Sequence, residues 1–243
     1  MTNESPKVLV IVNSTSSAPR RLLPWLEEHG VTPVVRVGAD GLPETLDGYA
    51  GLVMLGGGLM PDDDDRAPWL PAERVLAAEA IAADIPTLGI CLGGQLLAHV
   101  AGGEVKAKFG TPEVGMTTIA ASDAGSQDAV LSSLTPAGPM VENHQDRITA
   151  LPPEAELLAS SEACEIQAFR LGQHVRGLQF HPEASAENVA SWDADEIEAK
   201  GISAEQLVAD ARSKDADNTA RSAALVRGFA DEVLAHAGAI AAS

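Results

Sequence analysis

The sequence predicts an α/β protein built on a doubly wound, mostly parallel sheet. Short β-branched runs alternate with longer helical patterns through the first half of the chain, an order typical of parallel strands joined by right-handed crossovers. A hydrophobic content of 45% is enough for a sizeable core, which Leu, Val, Ile and Ala must build because aromatic residues make up only 3%. We expect the 243 residues to form a single domain, 1–243.

The first half is predicted to hold four buried strands and three helices. Runs rich in Val, Ile and Leu indicate the strands, and glycines close the first and last of the helical patterns. The predicted strands are KVLVIVN (7–13), TPVVRVG (32–38), GLVMLGGG (51–58) and IPTLGI (85–90). The predicted helices are RRLLPWLEEHG (20–30), PAERVLAAEAIAAD (71–84) and LGGQLLAHVAGG (92–103).

From about Gly115 the pattern changes to short strands with little helix between them, which suggests antiparallel additions at a sheet edge. These strands are GMTTIA (115–120), GPMVENH (138–144), ELLASS (156–161), EIQAFRL (165–171) and HVRGLQF (174–180). Residues 183–243 read as a helical C-terminal extension of the same domain. A capping box is expected at Ser203–Gln206, and residues 218–238 are expected to form the final amphipathic helix.

The acidic composition argues against nucleic acid and membranes as partners. Thirty-five acidic residues against 16 basic ones give a net charge of -19, and such a surface repels phosphate backbones and anionic lipid. We find neither a signal peptide nor the roughly 20 apolar residues of a membrane span, so we expect a cytoplasmic protein. Cys91 and Cys164 form neither a disulfide scaffold nor a CxxC zinc pair, and we expect no metal and no cofactor.

Cys91 stands in GICLG, residues 89–93, where a predicted strand meets a predicted helix. A sharp strand-to-helix corner strains its central residue and requires small residues two positions to either side, as Gly89 and Gly93 are. The corner also places the sulfur at a helix N-terminus, where N–H groups and the helix dipole favour a thiolate. The pattern favours a cysteine nucleophile; a core cysteine beside incidental glycines is the alternative.

A cysteine nucleophile needs a base or ion-pair partner, and His181 is the best placed of the six histidines. It ends a predicted strand, and a side chain at the carboxyl end of a strand projects into the crevice where ligands bind. Glu183 can orient the imidazole and stabilise its charged form. A surface histidine in a Pro-Glu turn is the alternative. His144 follows another apolar strand and is a candidate for lining the site or bonding a loop.

Acyl transfer also needs N–H donors for a developing oxyanion, and LGGGLM, residues 55–60, is the candidate loop. It follows the third predicted strand, which we expect beside the strand that ends at Cys91, and glycine backbone can approach a substrate closely. Gly57 and Gly58 are the candidate donors, and the N–H of Leu92 is the natural second one. A plain glycine turn is the alternative.

Together these motifs resemble the class I glutamine amidotransferases. That family is marked by a G-x-C-x-G-x-Q elbow, an upstream glycine-rich oxyanion loop and a downstream F-H-P-E. Here the motifs read GICLGGQ (89–95), LGGGLM (55–60) and FHPE (180–183). The resemblance extends from about Val8 to the last helix, and PWL (68–70) with the helical tail is typical of the stand-alone, GMP-synthase-like branch. It implies a flavodoxin-like sheet with antiparallel edge additions.

The resemblance also implies a role for each matching residue. Cys91 attacks the side-chain amide of glutamine to give a γ-glutamyl thioester and ammonia. His181 protonates the leaving ammonia and then activates water, with Glu183 orienting it. The N–H groups of Gly57 and Leu92 hold the oxyanion, with Gly58 replacing Gly57 if the loop register shifts by one residue. The residues implied in glutamine binding are Gln95, Gly115, Asn143 and His144.

These motifs leave open where the nitrogen goes. We recognise no ATP-pyrophosphatase or other acceptor domain in the sequence, so the first hypothesis is a glutaminase that passes ammonia to a separate ATP-dependent synthetase subunit. The second is a γ-glutamyl hydrolase or peptidase that uses the same triad on γ-glutamyl amines or peptides. A catalytically silent interaction protein is the third, disfavoured because Cys91, His181, Glu183 and Gln95 are intact.

Two further features are assigned from their surroundings in the sequence. The run Asp62–Asp65 is expected near the mouth of the site, as a solvated acidic loop or as a binding site for a cation or a basic group. Cys164, in SEACEIQAF, lacks a small-residue elbow and a following histidine and acid. It is therefore interpreted as a structural thiol at a strand edge.

Overall fold

The computed structural model describes residues 5–242, in which nine strands form one mixed sheet. The strands of the chain are β1 (Lys7–Val12), β2 (Thr32–Val37), β3 (Gly51–Met54), β4 (Thr87–Ile90), β5 (Glu104–Lys106), β6 (Glu113–Ala121), β7 (Gly138–His144), β8 (Arg147–Ala150), β9 (Glu156–Ser160), β10 (Ala168–Leu171) and β11 (Val175–Leu178). The helices are α1 (Leu22–Glu28), α2 (Leu70–Ala83), α3 (Leu92–Val100), α4 (Asp123–Gln127), α5 (Ala186–Ala190), α6 (Ala194–Ala199) and α7 (Ala204–Ala242).

Five parallel strands, in the order β2-β1-β3-β4-β11, form one half of the sheet. The first four of these strands and the helices between them lie where the sequence predicted. Because β3 is the neighbour of β4, the glycine loop that follows β3 lies beside the corner that follows β4. The predicted doubly wound, mostly parallel arrangement of this half is confirmed.

Four antiparallel strands, β10-β9-β6-β7, extend the sheet beyond β11. This confirms the predicted antiparallel additions, with one correction. The strand expected from HVRGLQF does not lie at the edge: β11 pairs antiparallel with β10 and also in parallel with β4, in the middle of the sheet. The pattern of short strands hid this pairing, because a neighbour so distant in sequence leaves no local signal.

Alternate residues of β1 face the two layers of helices that cover the sheet. Val8, Val10 and Val12 belong to a buried cluster that includes Leu22 and Leu26 of α1 and Phe229 of α7. The intervening residues, Leu9 and Ile11, belong to a second cluster that includes residues of α2 and α3. The period of two in a buried strand thus supplies both cores.

The last helix, α7, runs without a break from Ala204 to Ala242, so the capping box predicted at Ser203 and the amphipathic segment predicted at residues 218–238 belong to one helix. Ser203 Oγ accepts the Gln206 N–H at 3.4 Å, which is one of the two bonds expected of the capping box. The early turns of α7 are mostly polar on their outer face, but Ala211 is fully buried in a cluster with residues of β6, β7 and α5. This packing stabilises a segment whose own apolar pattern is weak.

Two smaller elements were not predicted. Strands β5 and β8 pair as a separate two-stranded ribbon, and α4 is a single short turn capped by Ser122. No helix among residues 5–242 combines the length and the apolar character needed to span a lipid bilayer. The assignment of residues 1–243 to one domain stays a prediction.

Candidate active site

Cys91 occupies the corner between β4 and α3, in a conformation that side chains rarely adopt. Its φ of 52° and ψ of -106° lie outside the ordinary allowed regions, and such residues cost about 1–3 kcal/mol. The corner is fixed by backbone bonds, from the Cys91 N–H to the Leu178 carbonyl at 2.8 Å and from the Gln95 N–H to the Cys91 carbonyl at 3.0 Å. The backbone of the neighbouring segments therefore holds Cys91 in the strained conformation that the sequence predicted.

The glycines around Cys91 are required by contacts with backbone atoms. A Cβ on Gly89 would lie 2.5 Å from the Gly93 carbonyl oxygen, and one on Gly93 would overlap the Met54 carbonyl group. Gly94, which the sequence analysis did not single out, would place a Cβ 2.6 Å from the Leu178 carbonyl oxygen. Backbone cannot move aside as a flexible side chain can, so the elbow accepts only glycine at these positions.

His181 follows β11, the strand beside β4, and so lies next to the corner that carries Cys91. The ring Nδ1 of His181 lies 2.7 Å from Oε1 of Glu183. The backbone N–H of His181 donates to the Val141 carbonyl at 2.8 Å. Gly56 lies against both residues, since a Cβ there would lie 3.2 Å from His181 Cε1 and 3.4 Å from Cys91 Cβ. Cys91, His181 and Glu183 thus meet at one cavity.

The electrostatics of this group favour a charged imidazole that faces the thiol. Burial opposes the charged form, but the carboxylate of Glu183 and hydrogen bonds with Cys91 and Glu183 together raise the pKa of His181 well above its usual value. An imidazolium beside a cysteine at a helix N-terminus stabilises the thiolate form of the nucleophile.

Arg21, which the sequence analysis did not single out, holds the turn that carries His181 and Glu183. Its guanidinium donates to the Pro182 carbonyl at 2.9 Å and to Asn218 Oδ1 at 2.7 Å. It thereby ties the turn to α7. Burial lowers the pKa of Arg21 to about 10, so the guanidinium stays charged at neutral pH.

The glycine-rich loop after β3 packs against the start of α3. A Cβ on Gly57 would lie 3.1 Å from the Leu92 side chain and 3.2 Å from Asn13 Cβ, whereas Gly58 faces open space. Asn13 is held by two side chains, because its amide donates to the buried Glu73 at 3.0 Å and accepts the indole N–H of the half-buried Trp69 at 2.8 Å. Leu92 is the first residue of α3, where N–H groups lack partners within the helix. Whether Gly57 or Gly58 is the oxyanion donor stays a prediction.

Two cavities open beside Cys91, and both are also lined by Gly57, Gly58 and Asn143. The smaller, of about 250 Å³, has a mixed polar and apolar lining that combines the oxyanion loop, α3 and the loop after β7. It is lined by Gly57, Gly58, Leu59, Cys91, Gln95, Lys108, Asn143, His144, Gln145 and Asp146. Three of the four residues that the resemblance implied in glutamine binding, Gln95, Asn143 and His144, lie here.

The larger cavity, of about 570 Å³, contains Cys91, His181 and Glu183. Its far wall comes from the segment around α6, including Trp192, Glu196 and Lys200. Nothing in the sequence indicated that α6 lies at the site, because its acidic, alanine-rich pattern carries no motif.

Gly115 differs from the expectation for a substrate-binding residue. It has a φ of 102° within β6, and a Cβ there would lie 2.5 Å from Leu207 Cδ1 of α7. Neither cavity beside Cys91 has Gly115 in its lining. The positive φ favours glycine at this position, and the implied part of Gly115 in glutamine binding stays a prediction.

Gln179 is a site residue that the sequence analysis missed. It is buried, and its amide nitrogen lies 3.6 Å from Cys91 Sγ. Gln95 donates to the Gln179 side-chain oxygen at 3.2 Å and to the Asp146 carbonyl at 3.1 Å. The sequence did contain a signal for Gln179, because it is a polar residue inside the apolar strand run HVRGLQF. A buried polar side chain needs a hydrogen-bond partner, which indicates a polar neighbour such as a site.

Cys164 also lies near a histidine and glutamates, but in different surroundings. Burial raises the pKa of its thiol to about 11, and the thiol donates to the Ile166 carbonyl at 3.4 Å. Its neighbours His144 and Glu113 offer ligand atoms within 4.8 Å of it and of each other. A protonated thiol with 1% exposure is unsuited to attack a substrate.

The run Asp62–Asp65 is partly used to organise its own loop. Asp63 accepts the Met60 N–H at 2.9 Å and pairs with Arg66 at 2.8 Å. Asp64 accepts two bonds from Arg74, which lower the pKa of that carboxyl. These pairs give two of the four aspartates a structural role; binding of a cation or partner stays a prediction.

Comparison with known proteins agrees with this geometry. Relatives named as glutamine-hydrolyzing subunits of GMP synthase include those of Sulfolobus acidocaldarius (43% identity over 41% of this chain and 52% of that protein) and Ignicoccus hospitalis (37% over 58% and 71%). The chain therefore spans about half the length of the first of these relatives. A crystal structure of a glutamine amidotransferase from Thermotoga maritima superposes with a TM-score of 0.83 at 25% identity, covering 93% of this chain and 99% of that one.

The family model described as glutamine amidotransferase class-I matches residues 10–191, well over half of the chain. These residues include the elbow, the glycine-rich loop and the FHPE segment, whereas α6 and α7 lie beyond the match. The predicted resemblance is confirmed: the chain belongs to the class I glutamine amidotransferases.

Proposed function

We propose that this protein hydrolyses the side-chain amide of glutamine and releases ammonia for a separate synthetase subunit. The observation that carries the proposal is the strained Cys91 at the start of α3, facing the His181–Glu183 pair with a cavity of about 250 Å³ beside it. The relatives from Sulfolobus acidocaldarius and Ignicoccus hospitalis support both parts of the proposal, since their names describe a glutamine-hydrolysing part of GMP synthase.

The reaction proceeds through a thioester. The Cys91 thiolate attacks the amide carbon of glutamine, and N–H groups of Leu92 and of the glycine-rich loop hold the negative charge that develops on oxygen. His181 gives its proton to the departing nitrogen, which leaves as ammonia. The neutral imidazole then takes a proton from water, which attacks the thioester and releases glutamate. Glu183 keeps the ring oriented and balances its charge in each cycle.

The smaller cavity receives the amino-acid end of glutamine. Its lining offers the side chains of Lys108 and Asn143 and the loop around Asp146, a mixture suited to an α-carboxylate and an α-ammonium group. Gln95 and Gln179 fix the wall of this cavity next to the sulfur. A cytoplasmic location stays a prediction from the sequence.

A glutaminase assay tests the proposal. Purified protein should release glutamate from glutamine, more rapidly when an ATP-dependent synthetase partner is present, and Cys91→Ala should abolish the release. A glutamine-mimicking electrophile should label Cys91 in the wild-type protein. If neither labelling nor glutamate release occurs with a partner present, the proposal is wrong.

The larger cavity favours a second candidate, a γ-glutamyl hydrolase acting on amides whose nitrogen carries a substituent. Ammonia needs little room on the leaving side of the thioester, yet about 570 Å³ lies there, walled by Trp192 and its neighbours around α6. A γ-glutamyl amine would place its substituent in this space.

Trp192 provides the discriminating experiment. For a γ-glutamyl hydrolase, Trp192→Ala should lower kcat/KM for γ-glutamyl amides with large leaving groups about tenfold while leaving glutamine hydrolysis nearly unchanged. For a glutaminase, the wild-type protein should prefer glutamine, and the variant should affect both substrates alike.

A further inference from the structure

The cluster around Cys164 contains more metal-binding side chains than the proposed reaction uses. Glu113 begins β6, Glu142 and His144 end β7, and Cys164 lies in the loop before β10. All four residues are buried, with exposures of 5%, 0%, 7% and 1% in that order. Neither cavity beside Cys91 has Glu113, Glu142 or Cys164 in its lining.

The hydrogen bond at one nitrogen of His144 determines what the other nitrogen can do. Nδ1 lies 3.2 Å from the Asp146 carbonyl oxygen, and a carbonyl only accepts, so Nδ1 carries the hydrogen. Nε2 faces Glu113 Oε2 at 3.2 Å and Glu142 Oε2 at 3.4 Å. In the neutral ring the lone pair of Nε2 faces two carboxylate oxygens, and a proton or a metal ion between these atoms relieves their repulsion.

Glu142 supplies an independent sign of a missing partner. Its side chain is fully buried, and neither of its carboxylate oxygens has a hydrogen-bond partner among the described residues. Glu113, by contrast, accepts bonds from Ser161 at 2.7 Å and from Gln167 at 2.8 Å. A buried carboxylate without a donor is costly, and a metal ion would remove that cost.

We propose that Glu113, His144 and Cys164 bind a divalent transition-metal ion, with zinc as the best match. Glu142, whose Oε2 lies 3.4 Å from His144 Nε2, completes the set as the fourth ligand. One imidazole nitrogen, two carboxylate oxygens and one thiolate form a donor set that zinc accepts, and backbone anchoring of the other ring nitrogen is typical of a metal-ligating histidine. A tetrahedron with bonds of about 2.0–2.1 Å has edges of about 3.4 Å. The two distances from Nε2 are close to that edge.

The charges of the cluster balance when such an ion is present. Two carboxylates and a thiolate carry three negative charges. The guanidinium of Arg147, which donates to the Ala163 and Thr111 carbonyls beside the cluster, supplies one positive charge. A divalent ion makes the sum zero. On binding, the ion displaces the proton of the Cys164 thiol, and that proton is released to solvent.

The ion has a structural role, because four protein ligands leave no open position for a substrate. It joins β6, β7 and the loop before β10 behind the smaller cavity, of which His144 forms part. No sequence motif indicates the site, since its ligands spread from residue 113 to residue 164 without a CxxC spacing.

The two cysteines of the chain allow a clean test. Cys91→Ala leaves Cys164 as the single thiol, so the full-length variant is produced in medium supplemented with zinc or with cobalt. We expect about one zinc per chain by elemental analysis. The cobalt protein should show a thiolate-to-cobalt charge-transfer band in the near ultraviolet.

Cys164→Ser in the Cys91→Ala background should lose that band and most of the metal. Circular dichroism checks that both proteins are folded. Three results would each overturn the proposal: Cys91→Ala protein without metal, equal metal content in the two variants, or a cobalt protein without the band. A proton on His144, rather than a metal ion, would then lie between His144 and the carboxylates. If the double variant does not fold, the cobalt spectrum of Cys91→Ala decides alone.

Discussion

The two cysteines of this chain are both buried and each lies near a histidine and a glutamate, but their surroundings differ in three respects. Cys91 is on a strained corner, borders two cavities, and faces a histidine whose pKa a carboxylate raises. Cys164 donates its hydrogen to a backbone carbonyl and is 1% exposed, and burial raises its pKa to about 11. The same three residue types therefore favour a nucleophile in one place and a metal site or a structural cluster in the other.

Exposure alone does not separate them, because Cys91 is itself only 9% exposed. The separating features are access from a cavity and the backbone geometry that presents the sulfur. Both depend on glycines, which let the loop after β3 and the start of α3 approach closely. A cluster of His, Cys and Glu is thus a weak sign of catalysis without an open path to the sulfur.

The largest difference is expected between Cys91→Ala and Cys164→Ala. Removing the nucleophile should lower the rate of glutamine hydrolysis on the order of 10⁴-fold or more. At temperatures where the Cys164→Ala protein is folded, its rate should stay within about threefold of the wild-type rate. Steady-state glutamate release measures both variants. Comparable losses of activity, with both variants folded, would contradict the contrast between the two cysteines.

Much of the parallel half of the sheet could be predicted from the sequence. Its strands are apolar runs bounded by turn residues, and the positions of Cys91 and His181 at strand ends follow from them. The parallel pairing of β11 with β4 could not be predicted, because it joins segments about 90 residues apart in the chain and depends on tertiary packing. The capping box at Ser203 indicated where α7 begins, but its continuity up to residue 218 was not predicted, since the burial of Ala211 has no local cause.

The site shows the same division. Residues in compact motifs, such as the elbow around Cys91 and the pair His181 and Glu183, were predicted from spacing and chemistry. Arg21 was missed because it acts through bonds to Pro182 and Asn218, far along the chain. Sequence spacing predicts functional residues that lie together in one segment. It does not predict those that the fold brings together from distant segments.

Glu183→Gln is expected to have the next largest effect. Without the carboxylate the imidazolium loses its partner, so the pKa of His181 falls. The alkaline limb of the kcat/KM profile should then move to lower pH, and activity should fall on the order of 10²-fold. Glu196→Gln is the matched control, because Glu196 lines the same cavity but is exposed. If the alkaline limb moves equally in both variants, the shift comes from the loss of one negative charge near the site and not from the contact between Glu183 and His181.

Gly89→Ala tests the corner that distinguishes Cys91. The added Cβ would lie 2.5 Å from the Gly93 carbonyl oxygen, so we expect a loss of about 3 kcal/mol in the free energy of unfolding, or failure to fold. Gly58→Ala is the control: with nothing within 4 Å of its Cβ, it should change stability by less than about 0.5 kcal/mol. Urea unfolding measures both. A Gly89→Ala protein of wild-type stability would mean that the corner relaxes easily.

The smallest effect concerns Glu73, which supports the glycine-rich loop through Asn13. Burial raises its pKa from 4.5 to about 7, so the folded protein holds this proton more tightly than the unfolded chain does. The protonated form of Glu73 therefore contributes its full stabilisation below pH 4.5, and this contribution is lost as the pH rises towards 7. The free energy of unfolding changes by about 3 kcal/mol at most over this range. In Glu73→Gln the amide oxygen can still accept the bond from Asn13, and the loss with pH should disappear. Urea unfolding of both proteins at pH 5 and pH 8 gives the difference. If that difference does not depend on pH, Glu73 is ionised in the folded protein, and the loop behind Cys91 rests on a buried charge.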